Sequence, residues 1–204
     1  MLLINILKDI RKQIMSIKIK FWQKRNRILF KMKGVKYGQN LKVYNKMYLQ
    51  IKKGEMTIGD NFTLTSGDCI NPLCRNICAC IFIKGGGVID IGNNVGMSSP
   101  SLRIQNNLVI GNNVHIGGNC IIIDSDAHQI DYEKRRKGKG EVKSAPIIIE
   151  DDAWLGANVI VLKGVTIGAR SIIGAGSVVT KSIPADCIAA GNPCKIIKRI
   201  ISNE

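Results

Sequence analysis

The sequence lacks the long apolar run that a bilayer crossing requires. No stretch of its 204 residues approaches the roughly 18 consecutive apolar residues of a membrane span. Met1 to Leu7 are mostly apolar, but Lys8 ends the stretch and no small-residue cleavage pattern follows, so no secretory signal is expected. Hydrophobic residues make up 45% of the chain and the mean hydropathy is +0.07, which excludes an intrinsically disordered protein. We expect a globular chain with one core and a short appendage.

Histidine is scarce, and the cysteines follow no metal pattern. The chain has two histidines and an odd number of cysteines, seven, which together with the missing secretory signal indicates a reducing cytoplasm. Cys69, Cys74, Cys78 and Cys80 are close in sequence, but their spacing matches no zinc ribbon and no histidine is near. Buried thiols are the simpler interpretation, so no metal cofactor is expected.

Acidic residues are half as frequent as basic ones. The 15 Asp and Glu against 30 Lys and Arg give a net charge of +15. Residues 1–33 contain ten basic side chains and one acidic side chain, Asp9, so this segment carries most of the excess. Aromatic residues amount to only 5%, and no nucleic-acid-binding module is recognisable, so nucleic acid is not an expected partner.

Apolar residues recur at every sixth position in the C-terminal half of the chain. Aliphatic residues follow this period without a slip at Ile149, Leu155, Val161, Ile167, Ile173 and Val179. The fourth residue after each of the first five is small or β-branched: Ala153, Val159, Val165, Ser171 and Ser177. Similar units begin upstream at Ile58, Ile91, Ile110 and Ile116. A period of six does not fit a helix of 3.6 residues per turn, and it predicts a short strand followed by a turn.

Strands this short cannot bury an apolar face alone, so the units are expected to coil and stack into a parallel β-helix. Glycine and asparagine suit the corners, since they tolerate left-handed backbone dihedral angles at little cost. Alternation places one set of side chains outside: His115, Trp154, Ile160, Thr166, Ile172 and Val178. An apolar outer strip needs a cover, and a symmetric homo-oligomer is the simplest one.

The repeat resembles the hexapeptide-repeat acyltransferases, and within them the maltose and galactoside O-acetyltransferase-like group. The most specific segments are DSDAHQID (residues 124–131), AWLGAN (153–158), IGAGSVVTK (173–181) and AAGNPCK (189–195). The resemblance covers roughly half of the chain and implies a left-handed coil, a homotrimer and acetyl-CoA as donor. We therefore expect an all-β protein, a left-handed parallel β-helix of hexapeptide repeats with an N-terminal basic helical appendage and a short C-terminal helix.

The repeat is interrupted between Ile122 and Ile149, whose separation is not a multiple of six, so the period is out of phase by half a unit. The inserted loop, residues 124–145, is polar and contains His128. Function concentrates on long loops that project from rigid scaffolds. A neutral imidazole can take a proton from an acceptor hydroxyl, and Asp124 or Asp126 can orient the ring. The resemblance places the catalytic histidine at His128, and we assign Asp126 as its partner.

The resemblance also implies where the donor binds. It assigns the pantetheine groove to the late coils and the phosphates to the basic C-terminal stretch, at Ala157, Gly174, Ala175, Thr180, Lys181, Lys195 and Lys198. The alternative for the last two lysines is that they solvate an exposed helix over residues 195–201. Trp154 either borders the reactive centre, which places it with the cofactor residues, or packs against a neighbouring subunit's loop. Ser98 and Asp124 are expected to contact the acceptor.

Residues 3–33 show apolar positions at steps of three or four with basic side chains between them. The apolar positions are Leu3, Ile6, Ile10, Ile14, Ile17 and Phe21. This pattern is typical of an amphipathic helix. Such a helix either lies on an anionic membrane surface or packs against the coil or a neighbouring subunit, and the sequence leaves both open.

These observations favour an acetyl-CoA-dependent O-acetyltransferase that acts on a hydroxyl of a sugar or glycan, such as a capsule or O-antigen precursor. The expected location is the cytoplasm, with peripheral contact to the membrane if the N-terminal helix binds lipid. The alternatives are another acceptor (an amino sugar nitrogen, serine or a drug hydroxyl) and a non-catalytic scaffold. A zinc hydrolyase resembling the γ-class carbonic anhydrases fits poorly, since it needs three histidines at each site. The expected organisation is a helical appendage at residues 1–33, the coil with its loop at 34–188, and a C-terminal turn and helix at 189–204.

Overall fold

The structure is a computed structural model that describes residues 2–67, 70–138 and 140–200. The helices are α1 (Leu2–Met32), α2 (Tyr132–Arg136) and a single 3₁₀ turn at Pro72–Cys74. The strands are β1 (Lys36–Tyr37), β2 (Lys42–Val43), β3 (Tyr48–Ile58), β4 (Thr63–Thr65), β5 (Cys80–Ile91), β6 (Gly96–Ser98), β7 (Ser101–Ile104), β8 (Asn107–Ile110), β9 (His115–Gly118), β10 (Ile121–Ile123), β11 (Ile147–Ile149), β12 (Trp154–Leu155), β13 (Ile160–Leu162), β14 (Thr166–Ile167), β15 (Ile172–Ile173), β16 (Val178–Val179), β17 (Cys187–Gly191) and β18 (Cys194–Arg199).

The strands form three parallel ladders, which we call the first, second and third faces. The first face contains β1, the C-terminal halves of β3 and β5, β8, β11 and β14. The second contains β2, β4, β6, β9, β12, β15 and β17. The third contains the N-terminal halves of β3 and β5, β7, β10, β13 and β16. The chain visits the faces in turn, so the predicted stacked coil of parallel strands is confirmed.

The core is the column of aliphatic side chains that the six-residue period predicts. All six periodic positions from Ile149 to Val179 are 0% exposed, and the small or β-branched positions between them are buried as well. The alternate positions, including Trp154 and Ile172, lie on the outside of the coil. Because each coil covers the apolar face of the next, very short strands suffice to build a continuous core.

Asparagine side chains stack along the corner between the first and second faces. Asn40 donates to Asn61, Asn61 to Asn94, and Asn94 to Asn113, each through its amide at 2.9 Å. All four residues have φ between +54° and +58°, a left-handed conformation that asparagine tolerates better than most residues. The corner is thus fixed by backbone conformation and by a continuous amide ladder.

Helix α1 is present as predicted, and its C-terminal third packs on the first coil. The Asn26 amide donates to the carbonyls of Val43 and Asn45 at 3.2 and 2.8 Å, and the Arg27 guanidinium donates to Leu41 O at 3.2 Å. Phe30, also on α1, is fully buried in the core. In the part of the chain that the structure describes, no helix is long and apolar enough to cross a membrane.

The predicted C-terminal helix is wrong. Within residues 195–201, Lys195 to Arg199 belong to β18, which pairs antiparallel with β17, and Ile201 lies outside the described residues. The turn at Asn192–Pro193 reverses the chain, so β18 supplies backbone partners to β17, which otherwise would be an open edge of the second face. The backbone hydrogen bonds of this hairpin outweigh the helical tendency of the short segment.

Candidate active site

The inserted loop leaves the coil at the corner between the third and first faces. Ile149 pairs with Ile167 of the following coil and with Ile110 of the preceding coil. The number of residues between Ile110 and Ile149 is roughly twice the number between Ile149 and Ile167. The coil that holds the loop is therefore much longer than the next one. The ends of the loop are joined, because Ala145 N donates to Asp124 O at 3.0 Å and Asp126 N donates to Lys143 O at 3.1 Å. The rigid coil thus holds both ends of the loop.

His128 is exposed and borders a cavity of about 280 Å³. The cavity is lined by Asp126, Gln129, Ile130, Asp131, Lys134 and Lys143. The preceding residue, Ala127, has φ +64°, an unusual value for a side chain with a Cβ, and this bend sets the direction in which His128 leaves the coil. Arg135 closes the loop by donating to the carbonyls of Gln129 and Ile130, both at 2.9 Å.

Asp126 pairs with Lys163 rather than with the histidine. Its carboxylate Oδ1 accepts from Lys163 Nζ, and both side chains are largely shielded from solvent. Its other oxygen, Oδ2, is buried and has no hydrogen-bond partner among the described residues. Within one described chain no hydrogen bond reaches His128, so the predicted contact between Asp126 and the imidazole is not formed in the single chain. Asp126 and Lys163 instead tie the base of the loop to the next coil.

Asp124 is completely buried and stabilises the adjoining corner. Its carboxylate accepts from Gln105 N at 3.0 Å and from Asn106 N at 2.6 Å. Burial raises the pKa of Asp124, while the backbone donors lower it in opposition. Asp124 has no accessible surface in the single chain, so the structure shows it stabilising this corner, and its predicted contact with the acceptor stays a prediction.

The predicted groove residues lie at two corners of the late coils. Ala157 and Ala175 are stacked on each other at the corner between the second and third faces, since Gly176 N donates to Ala157 O at 2.8 Å. Gly156 allows this close stacking, because a Cβ there would lie 2.6 Å from Ala175 N. Gly174 lies beside Ala190 of β17, since its own Cβ would lie 2.8 Å from the Ala190 side chain.

The other residues predicted to bind the donor fall into two groups. Thr180 and Lys181 are exposed at the corner between the third and first faces, the corner from which the loop also projects. Lys195 and Lys198 are exposed on β18, opposite Ala190 and Ile188. The strand therefore replaces the expected helix but still presents both lysines to solvent at the end of the coil.

Trp154, His115 and Ser98 come together on the second face. They line a shallow cavity of about 340 Å³ with Thr63 and Thr65. Trp154 and His115 are paired in register on neighbouring strands, and the Thr65 and Ser98 hydroxyls are 3.0 Å apart. This surface combines an exposed indole with hydroxyl groups, a composition that suits contact with a polar ligand.

The described residues contain no cluster of three or more histidine, cysteine or acidic side chains that would hold a metal ion. Cys69 of the sequence cluster lies outside them. Cys74 and Cys120 are buried, and burial raises the pKa of the Cys120 thiol to about 11. Of the sequence cluster, Cys74 is therefore buried as expected, whereas Cys78 and Cys80 are half-buried.

The coil and its loop can be compared with known proteins. Residues 146–181 match the family described as bacterial transferase hexapeptide (six repeats). It is 39% identical over 122 residues to the galactoside O-acetyltransferase of Escherichia coli (strain K12), a match that covers 59% of this chain and 58% of that protein. The chain thus spans less than two thirds of the length of this curated relative.

Two solved structures are similar over more of their length. A galactoside acetyltransferase in complex with coenzyme A has a TM-score of 0.52 and 28% identity, covering 87% of this chain and 70% of that one. The polySia specific acetyltransferase NeuO has a TM-score of 0.51 and 28% identity, covering 82% of this chain and 76% of that one. Both similarities extend well beyond the repeat segment that the family model matches.

Sequence reasoning missed Lys163 and the bend at Ala127. Lys163 occupies an ordinary position after a repeat strand, and its contact with Asp126 joins residues 37 positions apart, which no local pattern shows. Alanine gives no signal for a positive φ. One signal was present, since Lys163 is the only charged residue between Asp152 and Arg170.

Proposed function

We propose that the protein is an acetyl-CoA-dependent O-acetyltransferase that acts on a hydroxyl of a sugar or glycan. The observation that carries the proposal is the position of His128. It projects from the rigid coil at the corner between the third and first faces, where Lys163 and Lys181 also lie. The similarity to the galactoside O-acetyltransferase of Escherichia coli and to a galactoside acetyltransferase in complex with coenzyme A supports an acetyl transfer and a carbohydrate acceptor.

In the proposed reaction, His128 removes the proton from the acceptor hydroxyl while the oxygen attacks the thioester carbonyl. A C–O bond forms and the C–S bond breaks. The protonated His128 then returns its proton to the coenzyme A thiolate, which leaves as the free thiol. General base catalysis of this kind contributes about 10²- to 10⁴-fold, and the positioning of the two substrates contributes the larger part. The reaction needs no metal ion, since the imidazole and the bound geometry supply both effects.

Asp126 acts in this scheme through the loop. Its ion pair with Lys163 fixes the base of the loop just before Ala127 and His128, so it positions the base without touching the reacting atoms. The unpartnered Oδ2 of Asp126 is free to accept a further hydrogen bond when substrate or a second subunit closes the cavity.

In this proposal the acetyl-CoA donor binds along the late coils. Ala157 and Ala175 present small side chains beside which a pantetheine arm can approach the backbone, and Lys181, Lys195 and Lys198 supply cations for its phosphates. Trp154 and Ser98 line the neighbouring face. We propose a left-handed coil and a homotrimer in which His128 of one subunit faces the groove of the next, because Ile160, Ile172 and Val178 leave an apolar strip on the outer faces.

The test is a thiol-release assay on the full chain with acetyl-CoA and a panel of acceptors. Galactosides, maltose and a sialic acid polymer represent hydroxyl acceptors, and glucosamine represents an amino acceptor. We expect acceptor-dependent thiol release with an O-acetylated product, and a loss of at least about 10²-fold in kcat for His128→Ala. Lys137→Ala, an exposed position of the same loop outside the cavity, is the matched control and should retain wild-type turnover.

Three results would contradict the proposal. A folded His128→Ala protein with wild-type turnover would exclude the imidazole as base. Transfer to glucosamine nitrogen alone would change the acceptor class. Calorimetry that detects no binding of coenzyme A would favour a scaffold without catalytic activity.

A further inference from the structure

Helix α1 has two different sides, and only one of them contacts the coil. The coil-facing side carries Ile19, Trp22, Asn26 and Phe30, which are at least partly buried. The hydrogen bonds from Asn26 and Arg27 to the carbonyls of the first coil fix the rotation of the helix about its axis. The direction of every other side chain of the helix follows from that rotation at about 100° per residue.

The main apolar stripe lies on the opposite side. It consists of Leu7, Ile10, Ile14, Ile17, Phe21, Ile28 and Met32, and the side chain of Leu3, which the sequence places in it, lies outside the described part. The stripe is roughly 150° around the helix from the docking side. Phe21 is 60% exposed, Ile28 50% and Met32 78%, although this half of the helix is docked on the coil. The coil of the same chain therefore cannot cover the stripe.

The N-terminal half of the helix is exposed all round. Every described side chain from Ile4 to Lys18 is exposed, a length of about 22 Å of helix. Ile4, Ile14 and Ile17 are each more than half exposed. An apolar surface of this size is unusual on a monomeric protein and marks an interaction site.

Basic side chains border the stripe along both edges. On one edge Lys20, Lys24, Arg27 and Lys31 line a cavity of about 410 Å³ with Tyr37. On the other edge lie Arg11 and Arg25, the latter over the Trp22 ring. The helix has one acidic residue, Asp9, which is close to Lys12. The partner that fits this arrangement is apolar at its centre and negatively charged around it.

We propose that α1 binds an anionic membrane surface in the plane of the interface, with the stripe in the acyl boundary and the basic edges at the headgroups. Charge decides between this partner and a second copy of the chain. Residues 1–33 hold ten basic side chains against one acidic, and the rest of the chain is also basic, so helix-on-helix or helix-on-coil contact brings like charges together. The proposal concerns binding alone and does not depend on the acetyl transfer proposed above.

The experiment is co-sedimentation of the full chain with vesicles of phosphatidylcholine alone and of phosphatidylcholine mixed with phosphatidylglycerol. We expect pelleting only with the anionic vesicles, and release by added salt. The stripe variant Ile14→Asn with Phe21→Asn should bind at least roughly tenfold more weakly. The edge variant Lys20→Gln with Lys24→Gln should lose roughly fivefold for each charge removed.

Matched controls replace exposed side chains of the same kinds on the coil: Leu73→Asn with Ile77→Asn for the stripe, and Lys36→Gln with Lys52→Gln for the edge. Both controls should bind as the wild type does. No pelleting of the wild type with anionic vesicles, or equal pelleting with neutral ones, would overturn the proposal without any variant. If the wild type does not bind vesicles and light scattering shows that the stripe variant has a different oligomeric state, the stripe contacts a second copy of the chain instead. Vesicle binding without acetyl transfer, or the reverse, separates this proposal from the proposed function.

Discussion

Replacement of Asp124 by alanine is expected to destabilise the protein by about 2–4 kcal/mol. Asp124 stands at the first position of the inserted loop, and its buried carboxylate accepts from the backbone amides of Gln105 and Asn106 in the preceding coil. Alanine removes the acceptor that both amides use in the structure. The same substitution frees the base of the loop that carries His128.

The magnitude follows from two opposing effects. Two hydrogen bonds to a charged acceptor are worth about 1.5–3 kcal/mol each, or about 3–6 kcal/mol together. Removal of a buried carboxylate recovers part of this, because the raised pKa of Asp124 shows that burial disfavours its charged form. The difference leaves the expected loss of about 2–4 kcal/mol.

Urea unfolding followed by circular dichroism measures the change. Asp90→Ala, at an exposed position of β5, is the matched control and should alter the free energy of unfolding by less than about 0.5 kcal/mol. A loss for Asp124→Ala no larger than that of the control would refute the reasoning, since it would mean that water satisfies both amides at no cost.

Three further outcomes follow from the same structure. The pKa of Asp124 is raised in the folded state, so the folded protein binds this proton more tightly than the unfolded chain does. The free energy of unfolding of the wild type, relative to that of Asp124→Asn, should therefore fall as pH rises through the folded pKa. Urea titrations from about pH 4 to pH 7 that show a rise would contradict this. Lys163→Met should lower kcat about tenfold with little change in the KM for acetyl-CoA, and Lys163→Arg should restore it; a change confined to thermal stability would speak against a positioning role. Gly156→Ala should lower Tm by several degrees and weaken coenzyme A binding in calorimetry, because its Cβ would lie 2.6 Å from the next coil. Gly96→Ala, whose Cβ has its nearest contact at 3.4 Å, is the control for stability and should leave Tm nearly unchanged.

The sequence predicts the coil well because its signal is periodic. A strict six-residue repeat fixes which side chains point inward, and all six positions from Ile149 to Val179 are buried as expected. The break in the period likewise locates the loop, since Ile123 and Ile147 end and begin the strands that border it. A regular pattern carries the information locally, so no long-range contact has to be guessed.

The parts that could not be predicted depend on contacts between distant residues. The segment after Pro193 is apolar and basic without a clear period, and only its pairing with β17 decides that it is a strand. The burial of Asp124 depends on the corner of another coil. The docking side of α1 depends on Asn26, a polar residue whose partners are carbonyl groups of the first coil rather than a complementary side chain.

The decisive experiment for the proposed mechanism is a crystal structure of the full chain with coenzyme A bound. We expect the sulfur atom within roughly 5 Å of a His128 imidazole, with the pantetheine arm beside Ala157 and Ala175. A bound coenzyme whose sulfur is more than roughly 10 Å from every His128 in the assembly would contradict the mechanism.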